Sequence, residues 1–192
     1  SFCLLYRVPA MTLTGVEWEA AYHALAERNC DLNNCSGRAR FVCADIRAFR
    51  VGEKPCYDHV MVNPPYREAG HHTPSPDRIK AQALGHQDDD LALEDWILAA
   101  HRLLKSGGSL TMIYPTTGTD RIIRALGRKF GAIEIFPLWP RVGVNSKRVI
   151  IRARKDRQTP CTLHAGLVLH APEDGYTPEA DAVLKAASRL EL

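Results

Sequence analysis

The sequence predicts an α/β fold, a doubly wound and mostly parallel sheet that finishes in an antiparallel hairpin. Three observations carry the prediction. Short apolar runs alternate with stretches of helical periodicity along the chain, the pattern of strands joined by crossover helices. Three of the runs close on a polar residue, at Glu17, Asp45 and Asn63, and open α/β sheets gather ligands beyond the carboxyl ends of their strands. The last two long runs, IEIFPLWP and KRVIIRARK, are joined by a short Gly-containing turn around residues 141–145 and read as the hairpin.

The elements follow in order. SFCLLYRVP reads as a helix already under way, with no cap before it. MTLTGVEW, residues 11–18, reads as a strand. EAAYHALAERNCDLN follows as an amphipathic helix whose stripe is Tyr22, Leu25, Ala26, Asn29 and Leu32. Asn33, Asn34 and Gly37 end it. ARFVCADI, residues 39–46, is a second strand. Within 57–62, His59-Val60-Met61-Val62 reads as a short buried strand. It stops at Asn63-Pro64-Pro65-Tyr66, because two prolines cannot continue a central ladder.

Residues 67–90 are long, polar and Pro-rich and read as a loop, of a length that is usually functional or disordered. LALEDWILAAHRLLK, residues 91–105, is a helix closed by Ser106-Gly107-Gly108. SLTMIYP is a strand, and TDRIIRALGRKFG a basic amphipathic helix leading into the hairpin. From Thr159 the alternation TLHAGLVLH and a short helix in GYTPEADAVLKAA complete the chain. The expected organisation is one domain over 1–158 with an extension, 159–192, packed on it.

A chain of 192 residues with 45% hydrophobic and 24% charged residues has the composition of a soluble globular domain. No stretch approaches the ~20 apolar residues of a membrane span, and SFCLLYRVPAM has no basic leader. The cysteines at 3, 30, 35, 43, 56 and 161 form no C-x-x-C pair. Together these point to a reduced, cytoplasmic protein with buried thiols, without a disulfide framework, zinc site or other metal, and with no membrane partner. The net charge of +3 is small, but between Arg121 and Arg157 eleven Lys or Arg face only Glu134 and Asp156. Such a cluster can neutralise phosphates; it can equally be a solvated helix face with edge-strand charges that block aggregation.

The chemistry concentrates after the third strand. Pro65 pushes Pro64 toward an extended conformation, which leaves the Pro64 carbonyl without a helix or sheet partner. Beside it stand the Asn63 amide oxygen and the flat ring of Tyr66. Two acceptors and an aromatic plate at a strand end make a receptor for a planar NH2 group. The alternative is a proline-rich turn that merely ends a strand.

Asn-Pro-Pro-Tyr after an apolar strand resembles the catalytic loop of S-adenosylmethionine (SAM)-dependent amino-methyltransferases, which act on exocyclic amines of adenine or guanine or on a glutamine side-chain amide. By ordinary residue frequencies the tetrapeptide arises by accident in about one chain in a thousand of this length. The rest of the chain resembles bacterial methyltransferases acting on N6 of the adenine next to the anticodon of a valine tRNA, a group often described only as predicted O-methyltransferases. The features that carry this are the HHTPSPD segment after the loop, PLWPR at 137–141, KRVIIRARK, GLVLH and GYTPEA.

The resemblance implies a Rossmann-like class I methyltransferase fold, SAM as cofactor and tRNA as substrate. It makes Asn63, Pro64, Pro65 and Tyr66 the catalytic loop. It sets Glu17 on the ribose hydroxyls, Trp18 on the adenine face, and Asp45 and Ile46 on the adenine edge, with Asn63 closing the pocket. Acids at strand ends are also common helix caps, and that alternative stands for Glu17 and Asp45. Arg141, Lys147 and Arg148 flank the hairpin turn near the expected pocket mouth, and Arg67, His71 and His72 follow the catalytic loop; Arg67, Arg141, Lys147 and Arg148 are the candidate RNA contacts. The sulfonium is its own activated electrophile, so no metal is implied.

The family's Gly-rich loop for the methionine half of SAM has no counterpart, since Gly15 is the only glycine before Glu17. SFCLLYRVP matches the helix that follows that loop, so the expectation is a chain lacking its first strand and carrying a gap in mid-sheet. A protein-glutamine N5-methyltransferase would call for a less basic surface and an N-terminal helical domain. DNA adenine methyltransferases usually carry Asp in place of Asn63 and a separate target-recognition domain. A methyltransferase-like binding module that has lost SAM is the non-enzyme alternative. Oligomeric state is not legible.

Overall fold

The computed structural model describes residues 1–52, 54–65 and 91–190. Its first part is small. Helix α1 (Phe2–Arg7) leads into strand β1 (Leu13–Glu17), helix α2 (Ala20–Leu32) and strand β2 (Ala39–Cys43). β1 and β2 pair in parallel, Leu13 opposite Ala39 and Glu17 opposite Cys43, with α2 as the crossover. Leu5, Cys30, Cys35 and Ala39 form its buried cluster, with Phe2, Met11, Leu13 and Phe41 packed around them.

That cluster sets the phase of α2. The inward side of the helix carries Cys30, with His23, Ala26 and Asn29 half-buried. Tyr22, Leu25 and Leu32, expected on the buried stripe, are exposed. The neighbours explain the correction: Cys30 and Cys35 Sγ atoms lie 3.0 Å apart, and Cys30 also approaches the Ala39 carbonyl. This leaves small side chains and little depth on the face toward β2. Cys30 and Cys35 are the two buried thiols; Cys3, Cys43, Cys56 and Cys161 are exposed.

The second part comprises β3 (Tyr57–Val62), α3 (Leu93–Leu103), β4 (Leu104–Pro115), a 3-10 turn (Thr116–Gly118), α4 (Thr119–Leu126), β5 (Phe130–Trp139), β6 (Arg148–Lys155), β7 (Thr162–Leu163), β8 (Leu167–Val168) and α5 (Pro178–Lys185). The sheet order is β3-β4-β6-β5-β7, with β8 also on β5. β3 and β4 are parallel. β6 runs antiparallel between β4 and β5, so the expected hairpin is present and forms the middle of this sheet. β7 and β8 run parallel to β5.

The core lies where α3 and α4 cover the sheet. Ile97, Ile122 and Leu126 join Leu110, Met112, Val149 and Ile151 in one buried cluster. The ends of α3 suit its dipole, with Glu94 and Asp95 in the first turn and His101 and Arg102 in the last. Asp95 Oδ2 accepts from the Ala92 N–H at 3.0 Å, satisfying one N-terminal donor.

α3 gives way directly to β4 at Leu104, not at Ser106-Gly107-Gly108 as expected. The glycines instead serve an irregular stretch of β4. The register jumps from Tyr57–Leu104 to His59–Ser109, and Gly107 sits at φ +76°, where a Cβ is strained. Further on, Gly166 has φ +83°, and a Cβ there would meet the Pro137 carbonyl oxygen at 2.2 Å. Only glycine allows the step from β7 to β8 to hug β5.

Among the described residues, no ladder joins β1 to β3: the strands form a two-stranded and a six-stranded sheet. β3 is consequently an edge strand, and the expectation of a buried strand is corrected, since Met61 is 62% exposed. Hydrogen bonds from Arg102 Nη2 to the carbonyls of Ile46 (3.3 Å) and Arg47 (3.0 Å) cross between the two parts, as does one from Arg7 to the Val183 carbonyl. No described helix is long and apolar enough to cross a membrane.

Candidate active site

Asn63 stands one residue beyond the last β3–β4 pair, Val62 with Met112. The prolines do what their chemistry dictates and stop the strand there. Asn63 and Pro65 are exposed and Pro64 is buried. Among the described residues the Pro64 carbonyl accepts no backbone hydrogen bond. Tyr66, Arg67, His71 and His72 lie outside the described residues, as does the rest of the segment from 66 to 90.

The same end of the sheet carries Lys147 and Arg148. Arg148 opens β6, opposite both Pro115 of β4 and Leu138 of β5. Strand spacing of about 4.8 Å sets β6 roughly 10 Å across the sheet from β3. A clamp holds this end: Ser146 Oγ lies 3.0 Å from Thr116 Oγ1, 3.0 Å from the Leu138 carbonyl and 2.6 Å from the Arg148 carbonyl. The Thr116 N–H donates to the Lys147 carbonyl at 3.3 Å. Sequence reasoning missed this clamp; the signal available was a serine directly before the basic pair.

Arg141 is placed differently. Its Nη1 donates to the carbonyls of Ala171 (2.8 Å) and Pro172 (2.9 Å), which ties the turn to the C-terminal extension. The basic cluster is likewise divided. Arg152 pairs with Glu134, Arg124 with Asp120, and Lys155 is buried against the end of α3. It is not one continuous face.

The other group of candidates sits on β1 and β2. Glu17 ends β1, and its carbonyl accepts from the Ala44 N–H at 2.9 Å, so the ends of the two strands are joined. Glu17 Oε1 accepts from the Glu19 N–H at 3.0 Å; its other oxygen has no partner among the described residues. Trp18 is 54% exposed. Asp45 Oδ1 accepts from the Arg47 N–H at 2.7 Å, and Oδ2 from Arg47 Nε and Nη2 at 2.9 and 2.6 Å. That hydrogen bonding to the Arg47 side chain holds the Asp45 carboxyl below the usual carboxylate range, against the opposing effect of burial. Arg47 was also missed; D-x-R spacing at a strand end was its signal.

Both acids therefore make local bonds, but neither caps a helix, since α2 is capped at Glu19 without a side-chain bond and no helix directly follows Asp45; both retain acceptor capacity. The Ile46 N–H donates no hydrogen bond among the described residues. An open donor next to a carboxylate matches the N1 and amino edge of an adenine. The donors and acceptors of this group are of the kind that would fit an adenosine. Among the described residues no cluster of three or more His, Cys, Asp or Glu could hold a metal.

No family model matches the chain. Its fold matches that of a protein from Agrobacterium tumefaciens described as a predicted O-methyltransferase, with a TM-score of 0.75 and 25% identity, covering 95% of this chain and 81% of that one. It also matches the fold of the tRNA (m1A58) methyltransferase TrmI of Aquifex aeolicus, with a TM-score of 0.52 and 12% identity, over 77% of this chain and 54% of that one. The chain has the class I methyltransferase fold.

In sequence it is a distant homologue of the tRNA1(Val) (adenine(37)-N6)-methyltransferases. The protein of that name from Tolumonas auensis is 29% identical over 161 residues, 80% of this chain. The chain spans 62% of that relative's length.

Proposed function

We propose that the protein is a SAM-dependent N-methyltransferase acting in the cytoplasm on an exocyclic amine, most simply N6 of an adenine in tRNA. The observation that carries this reading is the Asn63-Pro64-Pro65 stretch at the carboxyl end of β3, in a class I methyltransferase fold, with no backbone donor on the Pro64 carbonyl among the described residues. Supporting it, distant relatives bear the name of tRNA adenine-N6 methyltransferases, and Lys147 and Arg148 lie at the same sheet end.

In this reading Glu17 receives the ribose hydroxyls, Trp18 covers the adenine face, and Asp45 with the Ile46 N–H receives the adenine edge. The cofactor, when bound, supplies an electrophilic methyl on a sulfonium. Asn63 Oδ1 and the Pro64 carbonyl accept the two N–H bonds of the target amine, whose lone pair is otherwise delocalised into the ring. Held this way, the nitrogen is more pyramidal and presents its lone pair to the methyl. Positive charge grows on that nitrogen during transfer, so both acceptors bind the transition state more strongly than the ground state. Tyr66 supplies the stacking ring for a base taken out of its helical stack. Arg67, Lys147 and Arg148 meet RNA phosphates, while Arg141 acts from the base of the same turn.

The test is transfer of a labelled methyl from SAM to a tRNA pool, with SAM affinity measured separately. Asn63→Ala is expected to keep SAM affinity and lose transfer by more than about a hundredfold, the effect of removing one transition-state hydrogen-bond partner. A fully active variant would refute the role given to Asn63.

A further inference from the structure

A second site lies at the other end of β3. A cavity of about 370 Å³ is bordered by Arg50, Lys54, Cys56, His101, Arg102 and Lys155. Cys56 precedes β3 and Asn63 follows it. At about 3.3 Å per residue, seven residues separate the cavity from Asn63 by roughly 23 Å, so the cavity is distinct from the Asn63-Pro64-Pro65 stretch.

The cavity collects positive charge that the described residues do not neutralise. Arg50 Nη1 donates to the carbonyls of Arg47 and Phe49. Arg102 Nη2 donates to those of Ile46 and Arg47. Lys155 Nζ donates to those of His101 and Leu104. All of these acceptors are neutral, and among the described residues none of Arg50, Lys54, Arg102 and Lys155 makes a salt bridge with a carboxylate. Arg102 Nε is buried with no partner among those residues. The acids that face the group are Asp95, which acts on Arg102, and Asp156, 3.9 Å from His101. Burial and then the neighbouring Arg50 charge push the Arg102 guanidinium down from its ordinary value.

Like charges held around a cavity by backbone carbonyls cost free energy unless an anion joins them. Guanidinium groups match the oxygens of phosphate, and lysine adds a compact charge. We propose that this cavity binds a phosphate group, either free or carried on an RNA backbone. The site does not need the methyl-transfer reading, although Arg102 and Arg50 bond the Ile46 and Arg47 carbonyls beside Asp45, so it adjoins residues that reading gives to the cofactor.

Calorimetry on the full chain with inorganic phosphate and pyrophosphate tests the site, with chloride at equal ionic strength as control. The test residues are Arg50 and Lys54, both exposed; Lys155 is avoided because it holds the end of α3. The double variant Arg50→Gln, Lys54→Gln, with its folding checked by circular dichroism, is expected to bind phosphate at least about tenfold more weakly. A parallel fall in tRNA affinity, with the log–log salt slope flattened by about one, assigns the phosphate to RNA; unchanged tRNA binding assigns it to a free anion. Glu53 lies outside the described residues, and Glu53→Gln must bind phosphate at least as tightly as the parent. Asn63→Ala must bind it equally. The proposal is overturned if the parent binds no phosphate, if parent and double variant bind it alike, or if Glu53→Gln binds it more weakly.

Discussion

Lys155 is 8% exposed at the end of β6, a position where a strand sequence ending in Arg-Ala-Arg-Lys suggests a solvated charge. Its ammonium instead donates to the carbonyls of His101 at 2.8 Å and Leu104 at 2.9 Å, where α3 passes into β4. Lys155→Met keeps the length of the side chain and removes the charge. Two carbonyls then lose a charged donor, at about 1.5 kcal/mol each toward the low end of the range for buried unsatisfied groups. Against this, the variant no longer has to desolvate an ammonium, which returns about 2 kcal/mol after relaxation. The net is a loss of about 1 kcal/mol, or roughly 2–4 °C in Tm for a chain of this size. Urea unfolding gives the global number, and hydrogen exchange should show the loss first at Leu103 to Lys105. A variant as stable as the parent, with unchanged protection there, would refute the claim that Lys155 secures this junction.

Two further predictions concern charge. Glu134 faces Arg152 across the β5–β6 ladder, and hydrogen bonding to Arg152 first, against the effect of burial, holds its carboxyl below the ordinary glutamate value. A depressed folded value means that the pair's contribution is present above the ordinary pKa of about 4.5 and is lost as pH falls through the lower folded one. Glu134→Gln should therefore be about 1 kcal/mol less stable at neutral pH, with the gap closing in acid, as read by urea midpoints across pH; a gap independent of pH would contradict the assignment. At the other end of the sheet, reversing charge at Lys147 and Arg148 should weaken tRNA binding by about tenfold or more and flatten its salt slope by about two; unchanged binding would move the RNA surface elsewhere.

Much of the fold is written in local pattern. The strands expected over 11–18, 39–46 and 57–62 and the helix expected over 91–105 follow from periodicity, with the second strand ending at Cys43, two residues before Asp45, and the helix covering 93–103. Facts that depend on neighbours were not legible. His59-Val60-Met61-Val62 has the composition of a buried strand, but burial requires a strand on each side, and β3 has one only on the β4 side among the described residues. Tyr22, Leu25 and Leu32 make a plausible stripe, but the phase of α2 follows Cys30 and its contact with Cys35. Asn63 was legible because a double proline fixes its own surroundings. The bonds that Glu17 makes to Glu19 and Asp45 to Arg47 were not, because a strand-end acid offers the same atoms to a helix N–H, an arginine or a ligand.

A strand-end rule locates a residue along a strand but does not locate one strand against another. The β1–β2 ladder joins Glu17 to the stretch leading into Asp45, and the β3-β4-β6 ladders relate Asn63 to Lys147 and Arg148. No ladder among the described residues joins these two groups. The Arg102 guanidinium, from the last turn of α3, reaches across to the Ile46 and Arg47 carbonyls, directly beside Asp45. In the reading proposed above, methyl transfer requires the adenosine half and the amine-receiving half to hold their positions within about 1 Å, and Arg102 ties α3 to the chain beside Asp45. The same residue borders the cationic cavity. An anion bound there would meet the same guanidinium, so the cavity adjoins the residues that the proposed reading gives to the adenosine.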